Sequence, residues 1–423
     1  MQLPLRVPAP SRFWKGRGFS FPYFAQNHLG SASVTYTYNP QGLRATMVDG
    51  SGTTSYGYDG LGRLTFRGRP EGNLFYSYDK AGNERADSGS GNATYGYDAL
   101  NRLVSVANSN TGTTTYTYDA VGDLATATLP NGVVHSYTYD AKNRLKTLGV
   151  NNGSGPIASY AYTVDAAGHR TSVTEKSGRT VNYAYDNLYR LTNETIASDP
   201  HAVNGAVNYS YDAVGNRLQM TSSLAPVPAG TFLYNANDEL QTDAYDANGN
   251  TVNSGGLAYG YDFENRLVQQ GGISIVYDGD GNRVSKTVAG VTTKYWVDVN
   301  NPTGYAQVLQ EIPPNNFPVQ YYYGLELLER YDTNNSRAVR YYVHDGHGSV
   351  RALTDSSGNV TDTYDYDAFG NEIHSTGTSP NNYLFAGEQY DPDLNLYYNR
   401  ARYLNTNTGR SQRRPTPTSR RII

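Results

Sequence analysis

The chain has 423 residues, room for two or three ordinary domains or one long repeat array, and 38% of them are apolar. A formal charge of −4 gives no global electrostatic case for nucleic acid or a membrane surface, and zero Cys excludes disulfides, thiolate catalysis and Cys-based metal centres. No run of about 18 apolar residues exists, so no helical membrane span is expected. The 40 Tyr and 44 Gly shift the balance instead: Tyr, Thr and Val form strands, Gly marks turns, and the composition is that of an ordered all-β chain.

Residues 1–34 lack any repeat. Arg6, Arg12, Lys15 and Arg17 fall between Met1 and Phe24 without a continuous apolar stretch, so no standard secretory signal is expected. No targeting or carrier domain precedes the repeats, which is expected of the C-terminal part of a longer protein or of an orphan remnant.

From residue 35 a Tyr-Asp step recurs. Tyr58-Asp59, Tyr78-Asp79, Tyr97-Asp98, Tyr118-Asp119 and Tyr139-Asp140 are 20, 19, 21 and 21 residues apart, and Tyr185, Tyr211, Tyr245, Tyr261 and Tyr277 continue the series more loosely. A period near 20 marks one supersecondary unit stacked many times. In the unit from Ser210 to Leu218, Tyr209 and Tyr211 share one face of a strand. Asp212 can accept from a backbone N–H two residues on, and Gly215 can take positive φ to close the turn. Asn101, Asn143 and Asn265 stand where Gly215 stands, as a left-handed residue would require. Second turns at Asn131-Gly132, Ser177-Gly178 and Ala289-Gly290 separate the units, which makes a β-hairpin array over 35–300 with few or no helices. Hairpins this small are unstable alone. Stacked edge to edge, with Tyr rings in ladders worth roughly 0.2–1 kcal/mol per pair, they are expected to gain stability by number.

Pro302, Pro313, Pro314 and Pro318 mark 301–320 as a Pro-rich connection, a linker or crossover. The stretch 321–410 has its own signatures: Tyr341 to Asp355, Tyr364 to Asn371, Phe385 to Asp391, and Leu396 to Tyr403 followed by Gly409-Arg410.

The repeats over about 35–300 resemble the RHS, or YD, repeats of bacteria, and 321–410 resembles the RHS repeat-associated core domain. The resemblance implies a long β-sheet ribbon spiralling into a hollow shell, in which the core closes one end and a variable C-terminal polypeptide, often a toxin, is enclosed. Related shells occur in insecticidal toxin complexes, in contact-dependent and type VI secreted effectors, and in teneurins. The implied setting is secreted or cell-surface. The implied partners are an encapsulated toxin polypeptide or cognate secretion components. With roughly ten to twelve units, a partial, open shell is expected, with exposed edge strands.

Beyond Gly409-Arg410 the resemblance stops abruptly. Family members continue with a large apolar residue and an Asp-containing segment, whereas residues 411–423 form a basic tail without Tyr, Asp or Gly. The stretch Pro415 to Ser419 can be encoded by bases that, shifted by one, read Asp-Thr-Tyr-Glu, so the tail is expected to be frameshifted or truncated coding sequence. An aspartyl-protease-like site of some members lies beyond this signature, so no self-cleavage is expected. The Arg-rich end from Arg410 to Arg421 would otherwise suit an anionic surface.

Several clusters suggest chemistry, and each has a plainer explanation. His344, Asp345 and His347 could ligate a metal, but a core-domain turn explains them. Asp278, Asp280 and Asn282 copy the start of a calcium loop, yet Arg283 and Ala289 stand where Gly and Glu are needed. Asp365 and Asp367 are spaced for acid–base work, while Tyr-Asp-Tyr-Asp is a turn signature. Arg400 and Arg402 are expected in salt bridges holding the core. No Ser-His-Asp pattern, P-loop or dinucleotide fingerprint is present. No catalytic, cofactor-binding or metal residue is therefore expected, and the leading reading is a non-enzymatic shell segment. The alternatives are a carbohydrate- or cell-surface-binding repeat module, its Tyr rings stacking on sugars, and a core-domain autoprotease.

Overall fold

The computed structural model describes residues 33–89, 92–334 and 337–411. The N-terminal segment up to residue 32 and the basic tail beyond Ser411 lie outside the described residues.

Period-2 alternation decides the strands. Along Gly112–Tyr118, Thr114 and Tyr116 are buried while Thr115 and Thr117 face solvent. On the solvent face, Thr hydroxyls bridge neighbouring strands, as Thr37 to Thr46 and Thr117 to Thr126 do, both at 2.7 Å. Each hairpin closes on its Asp: Asp212 Oδ1 accepts from the amides of Val214 at 3.0 Å and Asn216 at 2.8 Å, and Gly215 takes φ 99°. Asn101, Asn143 and Asn265 take φ 59°, 56° and 60° in the same place, the demand read from the sequence.

Nineteen strands, Thr35–Tyr38 to Gly230–Thr231, form one antiparallel meander in which each strand pairs with the next. After a break over 232–243, fourteen strands from Ala244–Tyr245 to Glu372–Thr376 form a second. Four short strands, Gln389–Asp391 to Arg410–Ser411, make a third sheet, and the helical content among the described residues is one 3₁₀ turn at Phe385–Gly387.

The second sheet runs along the first in the same direction. Tyr36 Oη donates to the Gly279 carbonyl, Asn108 bonds Glu329, Asn131 bonds the Asp355 carbonyl, and Glu194 accepts from the Ala368 amide. A ribbon folded back on itself would pair these positions in descending order. Ascending order, at separations of 243, 221, 224 and 174 residues, means that the ribbon has wound round and passed itself again. The described residues thus trace a spiralling, open β wall.

The inside of the turn is packed. One cluster joins Leu74 and Tyr76 of the first sheet to Trp296, Tyr342 and Leu353 of the second, and another joins Leu148, Val150 and Tyr160 to Leu328 and Val343. Burying each such aliphatic contributes about 1.5–3 kcal/mol. A Tyr- and Thr-rich, Leu-poor chain suggests a polar or aromatic inner face without a dry aliphatic core, but the wall has dry aliphatic seams where consecutive turns touch. Where the turns come closest the chain uses glycine: a Cβ on Gly346 would sit 2.5 Å from Leu145 Cδ2 and 2.8 Å from Tyr162 Oη.

The third sheet bridges separate parts of the wall. At one side Arg283, fully buried, bonds Asp391 at 2.8 Å, and at the other Arg410 bonds the Asp238 carbonyl at 2.6 Å. The stretch 301–320 is no separate connection. Gln307–Ile312 pairs with Val291–Asp298 and with Val319–Tyr323, and Pro313-Pro314 begins an ordinary hairpin turn closed by Asn316 N to Pro313 O at 2.9 Å. The break at 232–243 lies inside the stretch expected to be uniform repeats, and the strands of the core continue the second sheet without interruption.

Candidate functional site

Consecutive hairpins are locked by a contact that the repeat carries at fixed positions. Where Arg stands four residues after the Asp, as at Arg63, Arg102, Arg144, Arg190 and Arg266, it first binds its own turn: Arg190 Nε bonds Asp186 Oδ2 at 2.6 Å. The Arg190 amide and guanidinium, with the Leu188 amide, hold the Asp186 carboxyl below its ordinary value against a small desolvation cost. Arg190 then reaches the next unit, where its guanidinium lies over the Tyr211 ring and Nη1 donates to the Asp212 carbonyl. Tyr211 Oη closes the loop by donating to Leu191 O at 2.7 Å. Arg63 and Tyr78, and Arg266 and Tyr277, repeat all three inter-unit contacts. Guanidinium planes therefore cover these Tyr rings, where Tyr-on-Tyr ladders were expected. The signal was visible in the sequence as an Arg four residues after several of the Tyr-Asp steps, but its partner lies one repeat away.

Between the two sheets is a half-open cleft of about 740 Å³, lined by Arg144, Arg170 and Tyr183 from one turn and Asp345, His347 and Phe385 from the next. Ion pairs cross its floor. Arg351 bonds Asp365, bonds Glu175 Oε1 at 3.1 Å and lies 3.5 Å from Asp345 Oδ2. Arg179 bonds Glu175 at 2.5 Å and forms an ion pair with Asp199 at 2.9 Å. Glu194, beside the cleft, is pushed up to about 8 by burial and by the neighbouring Asp367, although the Ala368 amide opposes this. Burial also raises Asp367. A cleft of this size accepts a small molecule or a short extended segment, not a folded domain.

The structure separates the residues singled out from the sequence. His344 lies 3.3 Å from Glu326, whereas His347 packs against Phe385, so the two imidazoles meet different neighbours. Asp278 is fully buried between Arg67 and Arg69 at 3.3 and 3.0 Å, and Asp280 turns outward to Arg44 at 2.7 Å. Asp365 faces Arg351, while Asp367 holds its own turn through Asn371 at 2.7 Å. Arg400 pairs with Glu388 at 2.8 Å as expected. Arg402 has no ion pair among the described residues; it lines a small hollow together with Arg266, Arg400, Tyr261, Tyr277 and Tyr403.

The profile of the Teneurin YD-shell family matches residues 167–418, more than half of the chain. The chain belongs to the YD-shell family. RHS repeats match at 97–134 and 118–157. Among curated proteins, this YD-shell chain is 31% identical over 233 residues to the tRNA3(Ser)-specific nuclease WapA of Bacillus spizizenii, covering 51% of the chain and 10% of that protein. It is 30% identical over 233 residues to the tRNA nuclease WapA of Bacillus subtilis, with the same coverage. The chain thus spans about a tenth of the length of the curated relatives it matches.

Among solved structures, the crystal structure of TcdB2-TccC3-Cdc42 superposes with a TM-score of 0.75 at 17% identity, over 90% of this chain and 24% of that one. The Photorhabdus luminescens Tc holotoxin pore gives 0.64 at 16%, over 92% and 26%. At such identities the likeness carries the fold, and it is a shell fold found in toxin assemblies.

Proposed function

We propose that this YD-shell chain is a stretch of container wall in an RHS-type toxin-delivery protein, acting by steric enclosure of a cargo polypeptide. The observation that carries this reading is the winding: the ribbon passes itself in the same direction, and the sheet 389–411 bridges Arg283 and Asp238. A wall of paired strands with latched hairpins resists opening because strand pairing runs between successive units and Arg–Tyr latches reinforce several of the joints. The cleft is too small for a folded cargo, so enclosure belongs to a longer array of which this chain supplies a part. Export to the cell surface or beyond goes with this role.

The reading is tested on the longest gene product that contains this chain. A C-terminal polypeptide enclosed by the wall should resist protease in the native assembly and become digestible when the latch arginines are replaced. Digestion of that polypeptide at the same rate inside and outside the assembly would refute enclosure.

The glycan-binding alternative draws less support, because the Tyr faces that would stack on sugars are covered by Arg63, Arg102, Arg190 and Arg266. The nuclease activity in the names of the WapA proteins belongs to chains of which the match covers 10%, and no residue here is assigned to it.

A further inference from the structure

Three side chains from separate parts of the ribbon converge beside the cleft. His201 lies in the loop between Leu191–Ala197 and Gly205–Tyr211, Asp365 in strand Val360–Tyr366 and His374 in strand Glu372–Thr376. One nitrogen or oxygen donor of each lies within 4.8 Å of the other two. The His201 and His374 rings stack with centroids 3.8 Å apart and planes 13° apart. His374 Nδ1 is buried, lies 4.0 Å from Asp365 Oδ2 and has no hydrogen-bond partner.

We propose that His201, His374 and Asp365 form a binding site for a first-row divalent transition-metal ion of the nickel, copper or zinc kind, clipping the first turn of the wall to the second. Two imidazoles and one carboxylate select such ions over magnesium and calcium, which take oxygen ligands. Three protein ligands leave coordination positions for water on the exposed side of His201.

The surroundings hold the set in place. Arg351 occupies one oxygen of Asp365 and leaves the other facing His374, the arrangement of an outer-shell partner. The His201 amide donates to Asp199 at 2.8 Å, and Asp199 is anchored by Arg179 at 2.9 Å. The charge also favours a cation, because Glu175, Asp199, Asp345 and Asp365 share two guanidiniums, those of Arg179 and Arg351. Donors bound to one ion lie roughly 3.3 Å apart, given bonds near 2.0–2.2 Å. Binding therefore draws them together and requires the exposed His201 ring to turn out of the stack, so that a ring nitrogen replaces a ring face.

The test uses the untagged full chain, stripped of metal with a chelator and titrated with Co²⁺ and then Zn²⁺. One equivalent of Co²⁺ should give visible ligand-field bands, Zn²⁺ should displace it, and Mg²⁺ and Ca²⁺ should not. His201→Ala and His374→Gln should each weaken binding by about a hundredfold or more, given that even outer-shell changes cost 10–100-fold. His169→Ala, which removes a ring paired with Asp165 outside the cluster, should leave it unchanged. His201 is exposed and its Ala variant should keep the wild-type circular dichroism, so that variant alone decides the matter if His374→Gln misfolds. Absence of stoichiometric binding, or binding undiminished in His201→Ala, would overturn the site.

Discussion

Arg190 lies over the ring of Tyr211, 4.9 Å from its centroid, and the two residues belong to consecutive hairpins. The same guanidinium donates to the Asp212 carbonyl at 2.6 Å, while Tyr211 Oη returns a bond to Leu191 O. Tyr78, Tyr118, Tyr211 and Tyr277 are thus each covered by the Arg of the unit before. Tyr211→Phe keeps the ring and removes one donor, so it should cost about 1 kcal/mol. Urea denaturation of Tyr211→Phe, Tyr118→Phe and the double variant should show additive losses, since the units are distant. Complete unfolding from one such change would mean that the units do not contribute separately.

The neighbouring acids Asp278 and Asp280 should respond very differently to the same substitution. Asp278→Ala strips two buried guanidiniums of their carboxylate and should cost about 3–5 kcal/mol. Asp280→Ala breaks a half-exposed pair with Arg44 and should cost no more than about 1 kcal/mol. Thermal melts in the presence and absence of calcium check both points. A calcium-dependent melting temperature lost in both variants would restore the calcium-loop reading.

Tyr189 occupies the turn position that Gly215 and Asn101 fill elsewhere, with φ 64°. A bulky side chain is strained there. Its ring stacks on His169 at 4.4 Å, which recovers part of the cost. Tyr189→Gly should raise stability by about 0.5–1 kcal/mol, the strain relieved less the stacking lost. An unchanged or lower denaturation midpoint would show that the stack with His169 outweighs the strain.

Glu194 has an ordinary value of 4.5 and is held near 8 in the fold, chiefly by burial. The fold favours its protonated form, so its contribution is complete below about pH 4.5 and is lost as pH rises through about 8. Wild type should lose stability across that window relative to Glu194→Gln, whose amide oxygen can still accept from Ala368. The gap should reach the order of a few kcal/mol at the alkaline end. Parallel urea midpoints for the two proteins from pH 5 to about 8.5 would count against a protonated Glu194.

The turns were legible because their demands are local. Asp212, Gly215 and the Asn residues that replace Gly specify a hairpin within five residues, and the structure places each of them in that role. The Arg–Tyr latch was half legible: the Arg recurs at a fixed offset in several units, but its partner ring belongs to the next unit. Arg400 and Arg402 were read alike, yet only Arg400 finds a carboxylate, Glu388, whereas Arg402 lines a hollow it shares with Arg266 and Arg400. Pro313-Pro314 resembled a linker because proline breaks strands, yet a hairpin turn tolerates it equally.

By itself, then, the sequence determined the all-β repeat, its turn chemistry and the family, since all three rest on contacts between residues close along the chain. The tertiary structure decided which acids are buried, where Glu194 meets Ala368, and how His201 comes to face Asp365 and His374. Those contacts join positions well over a hundred residues apart. They exist because twist accumulates over nineteen strands until the ribbon meets itself, and no local pattern encodes where that meeting falls.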